Sequence, residues 1–179
     1  MRALFSFFSR GRDRSRHGAW IYSALVEQAR RPQFYESFGV PDTIDGRFDL
    51  IVLHAGLYLP RLKSIPVDGK GLAQATFDQM LANLDQNLRE LGAGDMSVPK
   101  KMQNMVAAFY GRATAYDAAL KDGDADALRA ALQRNVYRGA DVGHTKLDAL
   151  ATYVRAASEA LKAANDTDIV AGTFVWPAP

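Results

Sequence analysis

The sequence predicts an all-α fold: a single helical-bundle domain of about six helices, preceded by a basic N-terminal extension. Three observations predict it. Apolar residues recur at three- and four-residue steps in several long segments, the period of a helix that buries one face. These segments begin after Ser, Thr or Asp and end at Gly or Pro, as helices do. The 179 residues, 48% apolar and 23% charged, have the composition of one globular domain.

The extension comprises residues 1–18, and the helical domain comprises residues 19–179. Residues 1–31 contain seven arginines against Asp13 and Glu27, a net charge of +5, so the remainder carries −3 of the total of +2. An apolar helix face followed by arginines is typical of a segment that lies in a membrane interface, whereas short termini are also often disordered, and both interpretations remain open. The residues of the hypothetical membrane contact are Leu4, Phe5, Phe8, Arg10, Arg12, Arg14 and Arg16.

The first helix of the domain is predicted from Ala19 to about Arg30, because Pro32 disfavours helical backbone at the residue before it. A short helix is expected within 33–38, before the break at Gly39 and Pro41.

The next helix, from Ile44 to about Leu62, is predicted to be the central and most buried element, because its apolar residues cover more than one face. Asp42 or Thr43 is the expected N-cap. Pro60 removes a helical hydrogen-bond donor, so we expect a kink or an early end there.

Two helices are then predicted to meet at one break and form an antiparallel hairpin. The first has its apolar stripe from Phe77 to Leu91 and ends at the glycines that follow. The second begins near Val98, with Ser97 as its cap and Pro99 in its first turn.

The last third of the chain is predicted to hold two further helices. One is capped by Asp124 and runs to about Asn135, and the other runs from His144 to about Ala164. The tail from Asp166 mixes β-branched and aromatic residues with proline, so we expect it to be extended. A loop is expected at 64–71.

Four stretches of this sequence, in this order, resemble one protein family. They read VPDTIDGRFDLIVLH, GAGDMSVPKKM, AFYGR and YDAAL. In this combination the chain resembles the ubiquinol-cytochrome c chaperone family over roughly Tyr22 to Trp176. Members of that family are non-enzymatic assembly factors of respiratory complex III, related to the mitochondrial factor that holds newly made cytochrome b, and their domain is all-helical. The resemblance therefore implies a chaperone for the cytochrome bc complex, with cytochrome b or another complex III subunit as its partner.

Signs of catalytic chemistry are weak. The chain has no Cys, and its histidines, His17, His54 and His144, lack the spacing of a helical zinc site. We expect no enzyme and no cofactor, and we interpret His54 as a hydrogen-bonded core residue. Two alternatives stay open: a helical-bundle enzyme or carrier with a metal, haem or lipid-like ligand near His54, and a ribosome- or nucleic-acid-binding module without specific DNA recognition.

The strongest binding signal is a basic and aromatic surface on the second helix of the hairpin, because Arg and Tyr are favoured at interfaces. We expect a cytoplasmic protein that reaches the inner face of the membrane through an anionic lipid surface, since no apolar run approaches the ~20 residues of a spanning helix. The candidate residues for binding a client or partner are Arg47, Lys100, Lys101, Tyr110 and Arg112.

Overall fold

The structure, a computed structural model, describes the chain from residue 2 to residue 179, with side chains from residue 13 onward. The described residues contain no strand, so the all-α prediction is confirmed. Six of the eight helices have eleven residues or more, which agrees with the expected number. The helices are α1 (Arg2–Ala29), α2 (Pro32–Glu36), α3 (Ile44–Lys63), α4 (Gly69–Glu90), α5 (Val98–Asp122), α6 (Ala125–Asn135), α7 (His144–Ala163) and α8 (Asp166–Ala171).

Helix α3 is the centre of the bundle, as predicted. It contacts α1, α4, α5, α7 and α8, and twelve of its twenty residues are buried. Its residues Leu50, Val52, Leu53 and Leu62 are fully buried. Such a helix can face partners on all sides because its sequence carries apolar side chains around most of its circumference.

The end of α4 and the start of α5 lie where the sequence predicted them. Phe77 contacts Phe109 and Tyr110, while Leu84 and Met105 line one groove nearer the connection, so the two helices run antiparallel. Each helix nevertheless packs more extensively elsewhere, α4 on α1 and α5 on α3. The hairpin is therefore one contact of the bundle and not its main pair.

Two helices begin earlier than predicted. Helix α1 begins at Arg2 instead of Ala19, and Gly18 packs so tightly on α4 that a Cβ there would lie 2.6 Å from the Ala75 carbonyl carbon. Helix α4 begins at Gly69, within the expected loop, after Asp68 in a left-handed conformation (φ 65°). The division of the chain at residue 18 stays a prediction.

Two further expectations are corrected near the ends of elements. Helix α3 does not end early, because it continues past Pro60 to Lys63. The tail is not wholly extended, because Asp166–Ala171 form α8, whose N-cap Asn165 accepts a hydrogen bond from the Asp168 amide at 2.8 Å. Among the described residues, no helix is long and apolar enough to span a bilayer.

Replacing Thr43 with Ala is expected to lower the free energy of unfolding by about 1 kcal/mol. Thr43 Oγ1 accepts a hydrogen bond from the Gly46 amide at 3.1 Å, so the substitution leaves an amide of the first turn of α3 without its partner. Ser97→Ala is the matched control, because the Ser97 hydroxyl donates to the Gly94 carbonyl and caps no amide of α5. Urea unfolding of both variants measures the difference, and equal losses would contradict the assignment.

Candidate functional site

An apolar groove lies open between α3, α4 and α5, and we call it the aromatic groove. Its volume is about 280 Å³. Helices that pack at an angle leave such a space wherever the side chains between them are small. The lining residues are Gly56, Leu59, Pro60, Lys63, Lys70, Ala73, Gln74, Phe77, Phe109, Tyr110 and Ala113.

Small residues form the floor of the aromatic groove. A Cβ on Gly56 would lie 3.4 Å from the Cβ of Ala113, so the backbones of α3 and α5 approach closely at this point. Residue 60 is proline, and it therefore offers no amide hydrogen to the Gly56 carbonyl one turn before it. The floor thus combines open space with a backbone carbonyl that lacks its usual helical donor.

Aromatic rings form one wall of the aromatic groove. The Phe77 ring centroid lies 5.0 Å from that of Phe109 and 5.7 Å from that of Tyr110. Phe109 is buried, whereas Tyr110 is 57% exposed. Tyr110 therefore presents a large, held ring and a hydroxyl to anything that enters, a combination favoured at protein interfaces.

Two lysines stand at the rim of the aromatic groove. Lys63 ends α3 and Lys70 lies in the first turn of α4, and both are exposed. Neither forms an ion pair with an acidic side chain that the structure describes. Positive charges around an apolar surface help to keep the protein soluble, and they favour a ligand that carries a negative group beside its apolar part.

The five candidate binding residues do not form one surface. Tyr110 lies in the aromatic groove, and Lys100 and Lys101 are exposed in the first turn of α5. Lys101 and Tyr110 are nine residues apart, about 180° around the helix, so they point to opposite sides of α5. Arg47 lies at a different groove and pairs with Asp42, Nε to Oδ1 at 2.6 Å. The binding role of these residues stays a prediction.

Arg112, one of the candidate binding residues, is largely buried and not part of an exposed basic surface. Its side chain is 17% exposed, and Nη1 donates to Oδ1 of the buried Asp49 at 2.6 Å while the guanidinium lies 5.7 Å above the ring of Phe48. Arg138 Nε donates to the other Asp49 oxygen at 3.0 Å. Burial raises the pKa of Asp49, and the two guanidinium groups oppose that shift. Arg112 therefore joins α5 to α3 inside the protein.

His54 is a hydrogen-bonded core histidine, as expected. Its Nδ1 lies 2.7 Å from the Leu50 carbonyl and so carries the proton, which leaves Nε2 to accept from the Tyr153 hydroxyl at 2.8 Å. Gln28 in turn donates to Tyr153 at 2.9 Å. Burial lowers the pKa of His54 to about 4, so the ring is neutral at pH 7. Trp176 packs against the His54 ring, and the two ring centroids lie 5.0 Å apart.

The hypothetical metal site around His54 is not assembled. Both ring nitrogens of His54 are occupied by hydrogen bonds. Asp85, a carboxylate that a helical bundle could have brought to His54, instead pairs with Arg89 on the surface of α4, Nε to Oδ2 at 2.7 Å. Among the described residues, no three His, Asp or Glu side chains converge as a metal site would require.

The hypothetical membrane contact falls mostly outside the described side chains, namely at Leu4, Phe5, Phe8, Arg10 and Arg12. Arg14 and Arg16 are described. Arg14 Nε donates to Asp68 at 2.8 Å, which ties α1 to the start of α4, whereas Arg16 is exposed and only 3.4 Å from Asp13. The membrane role of this segment stays a prediction.

The sequence did not single out the basic and apolar partners of Tyr110 in the aromatic groove. Phe77 was assigned only to the buried stripe of its helix, and Lys63 and Lys70 come from the ends of two different helices. The sequence signal was the spacing of Gly56 and Pro60, four residues apart in a central helix. Such a pair leaves both space and a carbonyl on one face.

The chain is thus a helical-bundle domain that presents an apolar groove with a basic rim. A sequence model of the family described as "Ubiquinol-cytochrome C chaperone" matches residues 36–176. The chain belongs to this family, a family of complex III assembly chaperones.

Several known proteins are similar to the chain. A Xenopus laevis protein named ubiquinol-cytochrome-c reductase complex assembly factor 1 is 27% identical over 157 residues, 87% of this chain and 78% of the frog protein. The Mus musculus and Homo sapiens proteins of that name are also 27% identical, and the chain spans 53% and 52% of their lengths. The Cbp3 homolog from Brucella abortus, known from a crystal structure, is 35% identical in sequence to this chain. The two structures superpose with a TM-score of 0.84, and the match covers 98% of this chain and 97% of the Brucella chain.

Proposed function

We propose that this protein assists the assembly of the cytochrome bc complex by holding newly made cytochrome b at the inner face of the membrane. The observation that carries the proposal is the aromatic groove, an open apolar site with a basic rim in a chain of a chaperone family. An unassembled membrane protein exposes apolar helices, and a groove of this kind can cover part of one.

The size of the aromatic groove favours a hold that can be released. About 280 Å³ accommodates a few side chains and not a whole helix. Affinity from so small an apolar contact is limited once the loss of translational and rotational freedom is subtracted. A chaperone must give up its client to the growing complex, so a moderate affinity suits this role.

A role without catalysis is supported by the state of the buried polar groups. His54 has both nitrogens in hydrogen bonds, its Tyr153 partner is also bonded to Gln28, and Asp49 is held between two arginines. Groups that act in acid-base chemistry are instead expected beside a cleft that a substrate can enter. These contacts favour a structural role for each of them.

Replacing Tyr110 with Ala is expected to reduce the capture of newly made cytochrome b severalfold while leaving the melting temperature nearly unchanged. The ring is 57% exposed, so its loss removes contact area for the client and little from the core. The measurement is the yield of crosslinks between the protein and newly made cytochrome b in cells, beside a melting curve of each purified variant.

Trp20→Ala is the matched control, because Trp20 is an aromatic residue of similar exposure (62%) that lies on α1 and does not line the aromatic groove. A folded Tyr110→Ala protein that captures cytochrome b as well as Trp20→Ala would reject the aromatic groove as the client site.

Combined replacement of Lys63 and Lys70 with Ser is expected to slow the capture of cytochrome b and to weaken the dependence of the capture rate on salt.

A further inference from the structure

The charged side chains that line the aromatic groove all have the same sign. The lining contains two lysines, Lys63 and Lys70, and no acidic residue. Both lysines are exposed, and neither pairs with an acidic side chain in the described part of the chain. The lining therefore carries two uncompensated positive charges, which a ligand with negative groups can neutralise.

The acidic residues near the aromatic groove do not neutralise these lysines. Three of them lie within five positions of a lining residue in the chain. Asp68 is bonded to Arg14, whose Nε donates to Oδ1 at 2.8 Å, and Asp117 accepts from Lys121 at 2.7 Å. Asp78 lines a shallow depression on the α1 side of α4 and not the groove. The groove thus keeps a positive rim after its surroundings are taken into account.

The lysines and the aromatic rings lie at opposite ends of the aromatic groove. Lys63 follows Gly56 by seven residues on α3, and Lys70 precedes Phe77 by seven residues on α4. Seven residues are two helical turns, about 10 Å along each helix axis. Residues 64–69 connect the two lysines, which therefore lie together at one end of the groove. The other end, at Phe77 and its aromatic neighbours, is apolar.

A helix that lies along the aromatic groove would match this arrangement with two features on one face. Apolar side chains would occupy the aromatic end of the open volume of about 280 Å³. Acidic side chains one and two turns further along would reach the lysines, since residues four and seven positions apart share a helix face. The matching segment therefore has an apolar residue and, four and seven positions away in either direction, acidic residues.

The shape of the aromatic groove disfavours an anionic bilayer as the occupant. Its floor, at Gly56 and Ala113, is a recess between three helices, which single side chains can enter and a flat lipid surface cannot. Side chains that insert into a bilayer must also project from the protein, whereas Phe77 and Phe109 pack against each other with their ring centroids 5.0 Å apart. A polypeptide segment is the occupant that fits this recess.

A positive rim also distinguishes among newly made membrane proteins. The segments that such proteins expose at the inner face of the membrane are enriched in Lys and Arg. Lysines at the rim repel a segment of that composition and attract an acidic one, and an interface gains specificity when it places like charges against the wrong partner. The groove would therefore select its client by the sign of the charge beside the apolar residues.

We propose that the aromatic groove recognises an acidic amphipathic helix, with its apolar residues against Phe77 and Tyr110 and its carboxylates at Lys63 and Lys70. This inference rests on the function proposed above and adds what the client segment must contain. The captured segment of cytochrome b is then a helix with carboxylates beside its apolar residues, and segments with basic residues at those positions are rejected.

The proposal is tested with three labelled peptides of about 14 residues, about four helical turns. The first carries leucines at one end of one face and two glutamates at the other end of the same face. The second has the same composition with the glutamates on the opposite face, and the third has lysines in place of the glutamates. The first is expected to bind the wild-type protein about 3- to 10-fold more tightly than the second, the effect of two partly exposed charge pairs. The third is expected to bind most weakly.

Two charge variants locate the recognition at the rim. The Lys63→Ser, Lys70→Ser variant is expected to bind the first and second peptides equally. The Lys146→Ser, Lys162→Ser variant is the matched control, because it removes the same charge from exposed lysines of α7, which does not line the groove. It should keep the preference for the first peptide. Tyr110→Ala should weaken the first and second peptides alike, and melting curves confirm that each variant is folded.

Equal binding of the first and second peptides to the wild type would overturn the proposal, as would a preference that survives in the Lys63→Ser, Lys70→Ser variant. Equal peptide binding, together with a loss of binding to phosphatidylglycerol vesicles in that variant, would make the rim a lipid contact instead.

The proposed function and this inference fail separately. If Tyr110→Ala reduced the crosslinks to newly made cytochrome b while the first two peptides bound equally, the groove would remain the client site and its charge selectivity would be rejected. If those crosslinks were normal while the three peptides bound in the expected order, the groove would recognise an acidic amphipathic helix and cytochrome b would be held elsewhere.

Discussion

Arg112→Ser is expected to lower the free energy of unfolding by about 3 kcal/mol, because it leaves the buried Asp49 carboxylate with only one guanidinium partner. For a chain of this length the melting temperature would fall by about 6–12 °C. The loss should exceed that of substituting an arginine whose ion pair is exposed, since Asp49 has no exposed side-chain surface. Thermal melts and urea unfolding measure the effect.

Two variants distinguish a broken buried pair from the loss of a surface charge. Arg47→Ser removes an arginine whose pair with Asp42 is half exposed on both sides, so little change is expected. The double variant Asp49→Leu, Arg112→Met replaces both charges with apolar groups and is expected to regain most of the stability. Equal stability of Arg112→Ser and Arg47→Ser would show that the buried pair contributes nothing.

The protein is expected to lose about 2.5 kcal/mol of stability between pH 8 and pH 4.5 through His54 alone. The pKa of His54 is about 4 in the folded protein and about 6.5 when unfolded. The unfolded chain therefore binds a proton in this range that the folded protein excludes. The stability is fully present above pH 6.5 and is lost as the pH falls towards 4.

The contribution of His54 is separated from that of the carboxylates by comparing pH profiles. Urea unfolding at several pH values should give a shallower slope for His54→Gln than for the wild type, although the variant starts from a lower stability. His144→Gln is the control, since His144 is exposed in the first turn of α7. Identical slopes for His54→Gln and the wild type would contradict a neutral, buried histidine.

Local signals made much of the fold predictable. Thr43 and Asp124 cap helices as expected because a cap depends on residues within one turn, as in the bond from the Ala127 amide to Asp124 at 2.9 Å. Helix α8 was missed although Asn165 and Asp166 are a usual helix start, because the β-branched and aromatic residues beyond them favoured extended structure. The early start of α1 was missed because arginines interrupt the apolar stripe.

The candidate site was less predictable because it depends on residues far apart in the chain. Arg112 and Asp49 are 63 residues apart, and only the register of α5 against α3 shows that the arginine points inward. The aromatic groove likewise requires three helices to place Lys63, Phe77 and Tyr110 together. Tyr110 was singled out from its residue type alone, and the structure places it in the aromatic groove beside neighbours that only the packing of the helices brings together.

The position of Trp176 makes the protein its own optical probe. The chain has only two tryptophans, and Trp20 is largely in solvent while Trp176 lies half-buried against the rings of His54 and Tyr58. With Trp20 changed to Phe, the emission spectrum would come from the C-terminal segment alone. Any event that lifts that segment from α3 would then be followed as a red shift in fluorescence, in real time and without a label.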